Sequence, residues 1–157
     1  LDEPLGQFIK IYRPACFDRV GLRYVNAFSR EQLGLVGRRW NDLLQPSYLG
    51  VLDEDDIDEG SVSKCSVDVE RRLDAQSALK LHAGPGFVQR NVRNGNQVQR
   101  VQEKEVRFIL DQDVYSTAKV KVAAVPETLN ALHGHADQIF SDAITTVLHD
   151  AMEPEYL

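Results

Sequence analysis

The apolar positions of this chain switch between two periods, and the switches mark its elements. Leu5, Phe8, Ile9 and Tyr12 recur at i, i+3, i+4 and i+7, which makes them one face of a helix over 4–12. Pro14 ends it, because the residue before a proline avoids the helical region. From Val20 the period drops to two. Val20, Leu22, Tyr24 and Phe28 alternate with Arg19, Gly21 and Arg23, predicting a strand with one wet face. Residues 30–37 form a polar, glycine-containing connection. After it, Pro46 splits two short helical turns anchored by Trp40, Leu43, Leu44, Tyr48 and Leu49. An acidic loop follows, and Gly60 closes it.

Three strand-like stretches come next. In 61–73, Cys65, Val67 and Val69 share a face; in 78–92, Leu79 and Leu81 are apolar; in 98–115, Val106, Phe108, Leu110 and Val114 share a face. Asn94-Gly95 is a strong hairpin signal and 74–77 a weaker one, so the three strands read as a meander. Gly84-Pro85-Gly86 predicts a bulge or sharp bend, since proline has no N–H to give to a ladder. From Pro126 to Met152 the residues Leu129, Leu132, Ala136, Ile139, Phe140, Ala143, Ile144, Val147 and Leu148 keep a helical period. Such a helix runs for about seven turns. Pro126 suits its first turn and Pro154 bars its continuation. A helix so long and one-sided needs a broad apolar surface, which the sheet's apolar face supplies. The predicted class is α+β: an antiparallel, meander-like sheet with helices packed on one face.

At 157 residues, the chain reads as one domain over 1–157 with a single core. With 43% apolar and 27% charged residues, it has the balance of a soluble globular protein. No apolar run reaches the roughly 18 residues of a membrane span, so no membrane partner is expected. Leu1-Asp2-Glu3-Pro4 is not the start of a signal peptide. Cys16 and Cys65 are too few for a disulfide framework and read as reduced thiols of a cytoplasmic protein. The net charge of −6 sits in one place, the run 53–59 with its six acids; elsewhere acids and bases balance. No basic excess remains to neutralise phosphates, so a nucleic-acid partner is not expected, although a local arginine patch is compatible with the count.

The four histidines are His82, His133, His135 and His149. His133 and His135, two apart on a helix, point about 200° from each other and cannot chelate one ion. No metal and no cofactor is expected. The acidic run fails the calcium-loop template, because Glu59 falls where the glycine belongs and Cys65 where the final glutamate belongs. No nucleophile elbow or phosphate-cradling glycine loop is present, and Cys16 and Cys65 read as core. One constellation remains. Arg19 and Arg23 face away from the apolar stripe of the first strand, and Arg107, Asp111, Asp113 and Tyr115 do so on the last. If those strands are neighbours, arginines and carboxylates meet on one face. They then form either weak cross-strand ion pairs or a pocket in which arginine holds an anion and aspartate serves as base or ligand. Asn26 falls on the apolar register at the strand end and reads as a backbone-bonding residue.

The stretches RVGLRYVNAF, WNDLLQPSYLG, FILDQDVY and FSDAITTVLHDAMEPEYL, in this order, resemble a sporadically distributed family of uncharacterised bacterial and archaeal proteins. The likeness runs from Phe8 to the C-terminus. Members are substantially longer, so the resemblance implies that this chain corresponds to their C-terminal part and that another half covers part of the sheet. It brings no established activity and assigns no role to Arg23, Asn26, Asp111 or Asp113. The functional expectation is a non-enzymatic binding or interaction module whose partner is another protein or a second copy. The alternative is a small-molecule-binding or hydrolytic enzyme using Arg23 and the Asp111/Asp113 pair.

Overall fold

The computed structural model describes residues 2–95 and 97–152. Helix α1 (Asp2–Tyr12) leads into the short strand β1 (Cys16–Phe17) and then β2 (Gly21–Phe28). A turn-rich segment of 3-10 helices, from Trp40 to Ser61, precedes β3 (Val67–Arg72), β4 (Ser77–Asn94) and β5 (Gln97–Ser116). The chain ends in β6 (Val120–Lys121), α2 (Val125–Ala143) and α3 (Thr146–Ala151). The sheet order is β2-β5-β4-β3, antiparallel throughout, and β1 pairs with β6 in a separate two-stranded sheet. The expected α+β class and antiparallel sheet are therefore present.

Strand β5 is central because β4 claims one edge through the hairpin and β2 the other. Its helix-facing side carries Phe108, Leu110 and Val114, all sealed from solvent. Helix α2 lays Leu132, Ala136, Ile139 and Ala143 over them. Trp40, Leu43, Leu44, Leu49 and Leu52 close the rest of the core from the turn-rich segment. The turn at 74–77 forms because Asp74 Oδ1 accepts the N–H groups of Gln76 and Ser77, both at 2.7 Å. At the other hairpin Asn94 pairs with Gln97, so the loop is Gly95, at φ +60°, and residue 96, which lies outside the described residues.

Two expectations are corrected. The long C-terminal helix is two helices. Ile144 is extended and forms an antiparallel bridge with Leu44. In that bridge Gln45 N–H donates to Ala143 O and Thr145 N–H to Leu43 O, both at 2.9 Å. Thr145 then caps α3: its hydroxyl accepts from Leu148 N–H and donates to Asp42 O at 2.7 Å. The apolar period runs through the break because Ile144 and Leu148 are both buried in the same core.

The second correction concerns Gly84-Pro85-Gly86, which lies inside a regular ladder opposite Ile109, Phe108 and Arg107. Pairing with β3 stops at Ala83, so β4 is an edge strand from there on, where proline is tolerated. The irregularity falls just beyond. Phe87 faces Val106 and Gln89 faces Gln102, so three residues of β5, 103–105, oppose Val88 alone.

Candidate functional site

Pairing of β2 with β5 brings the predicted charges together on the sheet face away from α2. In register across four strands run Arg23, Asp113, Lys80 and Glu70, of alternating sign. The next row is Val25, Asp111, His82 and Asp68. Arg19 Nη2 lies 2.6 Å from Asp113 Oδ2. Arg23 donates twice to Asp111, at 2.8 and 2.5 Å. Tyr115 donates its hydroxyl to Glu70 at 3.1 Å, and the Arg19 guanidinium covers its ring at 4.4 Å. His82 Nδ1 meets Asp68 at 2.7 Å. The two forked bonds from Arg23 hold the Asp111 carboxyl below its ordinary range, and His82 followed by Ser66 does the same for Asp68. A shallow cleft of about 260 Å³ lies over Arg23, Lys80, His82 and Asp111. Its guanidinium is bonded to its own carboxylate, so the arrangement is a self-neutralised charge lattice.

Arg107 shares the face but not the cluster. It binds Glu103 at 2.6 Å and lies 3.6 Å from Glu105, beside the irregularity of β5. Glu103 also holds Arg90, at 2.7 Å. Glu105 accepts the Ser29 hydroxyl at 2.6 Å and Glu31 N–H at 3.0 Å. Burial opposes the Glu105 charge, yet these bonds and Arg107 outweigh it and keep the carboxyl below its usual range. Asn26 does not mark the strand end. It sits inside β2 opposite Leu110 and lines a cleft on the helix side with Gln112.

Beyond this network β4 and β5 continue as a two-stranded arm. Residues 75–102 contain Lys80, Arg90, Arg93 and Arg100 and no acid, the local patch that the whole-chain charge hides. Among the described residues Arg90 has an acidic partner, whereas Arg93 and Arg100 have none. The arm also exposes Phe87, Val92, Val98 and Val101. An acid-free window in a chain of −6 was the available signal, and it escapes a count made over the whole sequence.

The acidic run is folded around a cation of its own. Arg39 donates to the carbonyls of Glu54, Asp55 and Ile57 at 2.9, 3.3 and 3.0 Å. Arg30 pairs with Glu59 at 2.9 Å while stacking 4.1 Å over Trp40. A cleft of about 840 Å³ separates this loop from the base of the arm at Lys104. Among the described residues no three His, Cys, Asp or Glu side chains are grouped to hold a metal ion. No described helix is long and apolar enough to cross a membrane. Comparison with known proteins finds no family model, no curated protein and no solved structure that matches the chain.

Proposed function

We propose that this chain is a non-enzymatic protein-interaction module whose β4–β5 arm seats against an acidic protein surface. The observation that carries the reading is the arm itself. A two-stranded ribbon is marginal in water on its own, and this one exposes four large apolar side chains beside two arginines, Arg93 and Arg100, that have no acidic partner among the described residues. Apolar contact with flanking charge is the composition of a docking surface. A second copy offers one such acidic surface in its 53–59 loop. In the longer family members that the chain resembles, the additional half would cover the charged sheet face. Cytoplasmic placement belongs to the same proposal and rests on the two free thiols, Cys16 and Cys65. The hydrolytic alternative has less support, because Arg19 and Arg23 already direct their hydrogen bonds to Asp113 and Asp111.

The test pairs light scattering with a pull-down from native lysate, using the parent protein and an Arg93→Glu/Arg100→Glu variant. The parent is expected to self-associate or to recover a defined protein in a salt-sensitive way, and the variant to lose this while keeping its melting temperature. A strict monomer that recovers nothing overturns the proposal. So does recovery that nuclease abolishes, which assigns the arm to phosphates instead.

A further inference from the structure

The two faces of the arm are unlike. In its ladder Arg93 opposes Val98 and, two residues back, Asn91 opposes Arg100. Directly opposed residues share a face, and so do alternate residues along a strand. Arg93, Val98 and Arg100 therefore stand together on one face near the tip, with Val98 58% exposed. Val92 and Val101 lie on the other face, beside Arg90, which Glu103 already holds at 2.7 Å. The first face carries the free charge, because neither of its arginines has an acidic partner among the described residues.

The cleft of about 840 Å³ between the acidic loop and the base of the arm has the complementary make-up. Six acidic and four basic side chains line it, leaving two negative charges against the two positive charges of the arm face. Asp55 and Asp56 are both exposed there. Among the described residues Asp56 has no cationic partner, and Asp55 reaches Arg39 only at 3.7 Å. Val36, 74% exposed, and Ile57 add apolar wall. The chain's own tip does not fill this cleft. The arm lines it only at its base, through Lys104, Glu105 and Val106. From Gln102 the ladder runs regularly outward to Gln97, which sets Val98 about 13 Å beyond Gln102 at roughly 3.3 Å per residue. A second copy laid antiparallel brings each tip to the other's base, so both clefts fill at once and the pair closes on a two-fold axis.

We infer that two copies of this chain dimerise by reciprocal exchange of arm tips. Arg93 and Arg100 of each copy meet Asp55 and Asp56 of the other, and Val98 packs against Val36 and Ile57. The inference rests on the arm being a protein-docking surface and commits that surface to one partner. Sedimentation equilibrium is run on the full chain for the parent, for Arg93→Glu/Arg100→Glu, for Asp55→Arg/Asp56→Arg and for an equal mixture of the two variants. Amide spectra first establish that each variant keeps the parent fold, and Asp56→Arg alone replaces the double loop change if that does not. The parent is expected to form a dimer that weakens as salt rises from about 0.1 M to 1 M, where the Debye length falls from about 10 to 3 Å. Each variant alone sets like charges against each other at both contacts, and its dimer dissociation constant rises about tenfold or more. In the mixture a reversed tip meets a reversed cleft and a native tip meets a native cleft, so a dimer of parent-like strength returns. A monomeric parent, a dimer undiminished by the loop change, or a mixture that stays monomeric overturns the inference. A monomeric parent that still recovers a defined protein through Arg93 and Arg100 removes the second copy and leaves the docking reading standing; a monomer that recovers nothing removes both.

Discussion

Arg23 bonds to Asp111, two residues along β5 from Asp113, the residue that directly opposes it in the ladder. The diagonal choice follows from competition, since Asp113 is already held by Arg19 at 2.6 Å and has Lys80 as its register partner on the other side. Arg23 is therefore the main cause of the lowered Asp111 carboxyl. Arg23→Ala is expected to return that carboxyl towards the ordinary aspartate value of about 3.9. A side-chain carboxyl titration by NMR reads this directly. An unmoved titration curve would show that the fork does not form in solution. The melting temperature should hardly change, because the pair is solvent-screened.

Acid stability follows, among the described residues, from four carboxyls held below their ordinary range: Asp68, Asp74, Glu105 and Asp111. A group with a depressed folded-state pKa contributes stability above its unfolded pKa and loses it as pH falls through the folded value. Urea midpoints should therefore stay level down to about pH 4 and then fall as these groups take up protons, by an amount that solvent screening keeps modest for the exposed Asp68. Glu105→Gln should flatten part of that acid limb, because its carboxylate ties Ser29 and the Glu31 N–H to the base of the arm. Midpoints that ignore pH below the carboxyl range would contradict the assigned bonds.

Two glycines predict opposite signs. A Cβ on Gly84 would lie 2.4 Å from the Cys65 carbonyl oxygen, a backbone atom with little freedom to yield. Gly84→Ala should cost about 1–3 kcal/mol or more, the range for overpacking in a tight contact. Gly134 lies in α2 with nothing within 4 Å of the added carbon. Gly134→Ala should stabilise by about 0.5–1 kcal/mol through helix propensity and a less flexible unfolded chain. Equal urea midpoints for the two variants would refute the close approach of residues 65–66 to β4.

Period and turn chemistry made most of the frame legible. Val20 to Phe28, the hairpin at Gly95 and the apolar face of β5 all follow from local rules, because one residue's burial there is decided by its neighbours in sequence. The break at Ile144 was not legible, since a bridge to Leu44 a hundred residues away makes it while the apolar period continues unbroken. The Arg19, Arg23, Asp111 and Asp113 cluster was legible as a conditional: the residues were named, and strand order decided that they meet. Lys80 and His82 joined them only through the β4 register. The period of two does set Gln112 on the buried side with Leu110 and Val114, but it says nothing of whether the amide finds a partner there.

The cover over the sheet gives the sharpest test of the packing. Residues from Pro126 onward supply Leu132, Ala136, Ile139, Ala143, Ile144 and Leu148, all buried against the sheet and the turn-rich segment. Each buried Leu or Ile contributes about 1.5–3 kcal/mol. Four such side chains together match a typical domain's net stability of about 5–15 kcal/mol. A chain ending at Val125 should therefore lose cooperative folding, read as a sloping circular-dichroism melt and collapsed amide dispersion. Thr145→Ala in the full chain removes only the α3 cap and the bond to Asp42 O, and should cost about 1 kcal/mol while leaving the melt cooperative. A truncated chain that still melted sharply would require some other segment to cover Phe108, Leu110 and Val114, and the sheet-plus-helix packing would have to be abandoned.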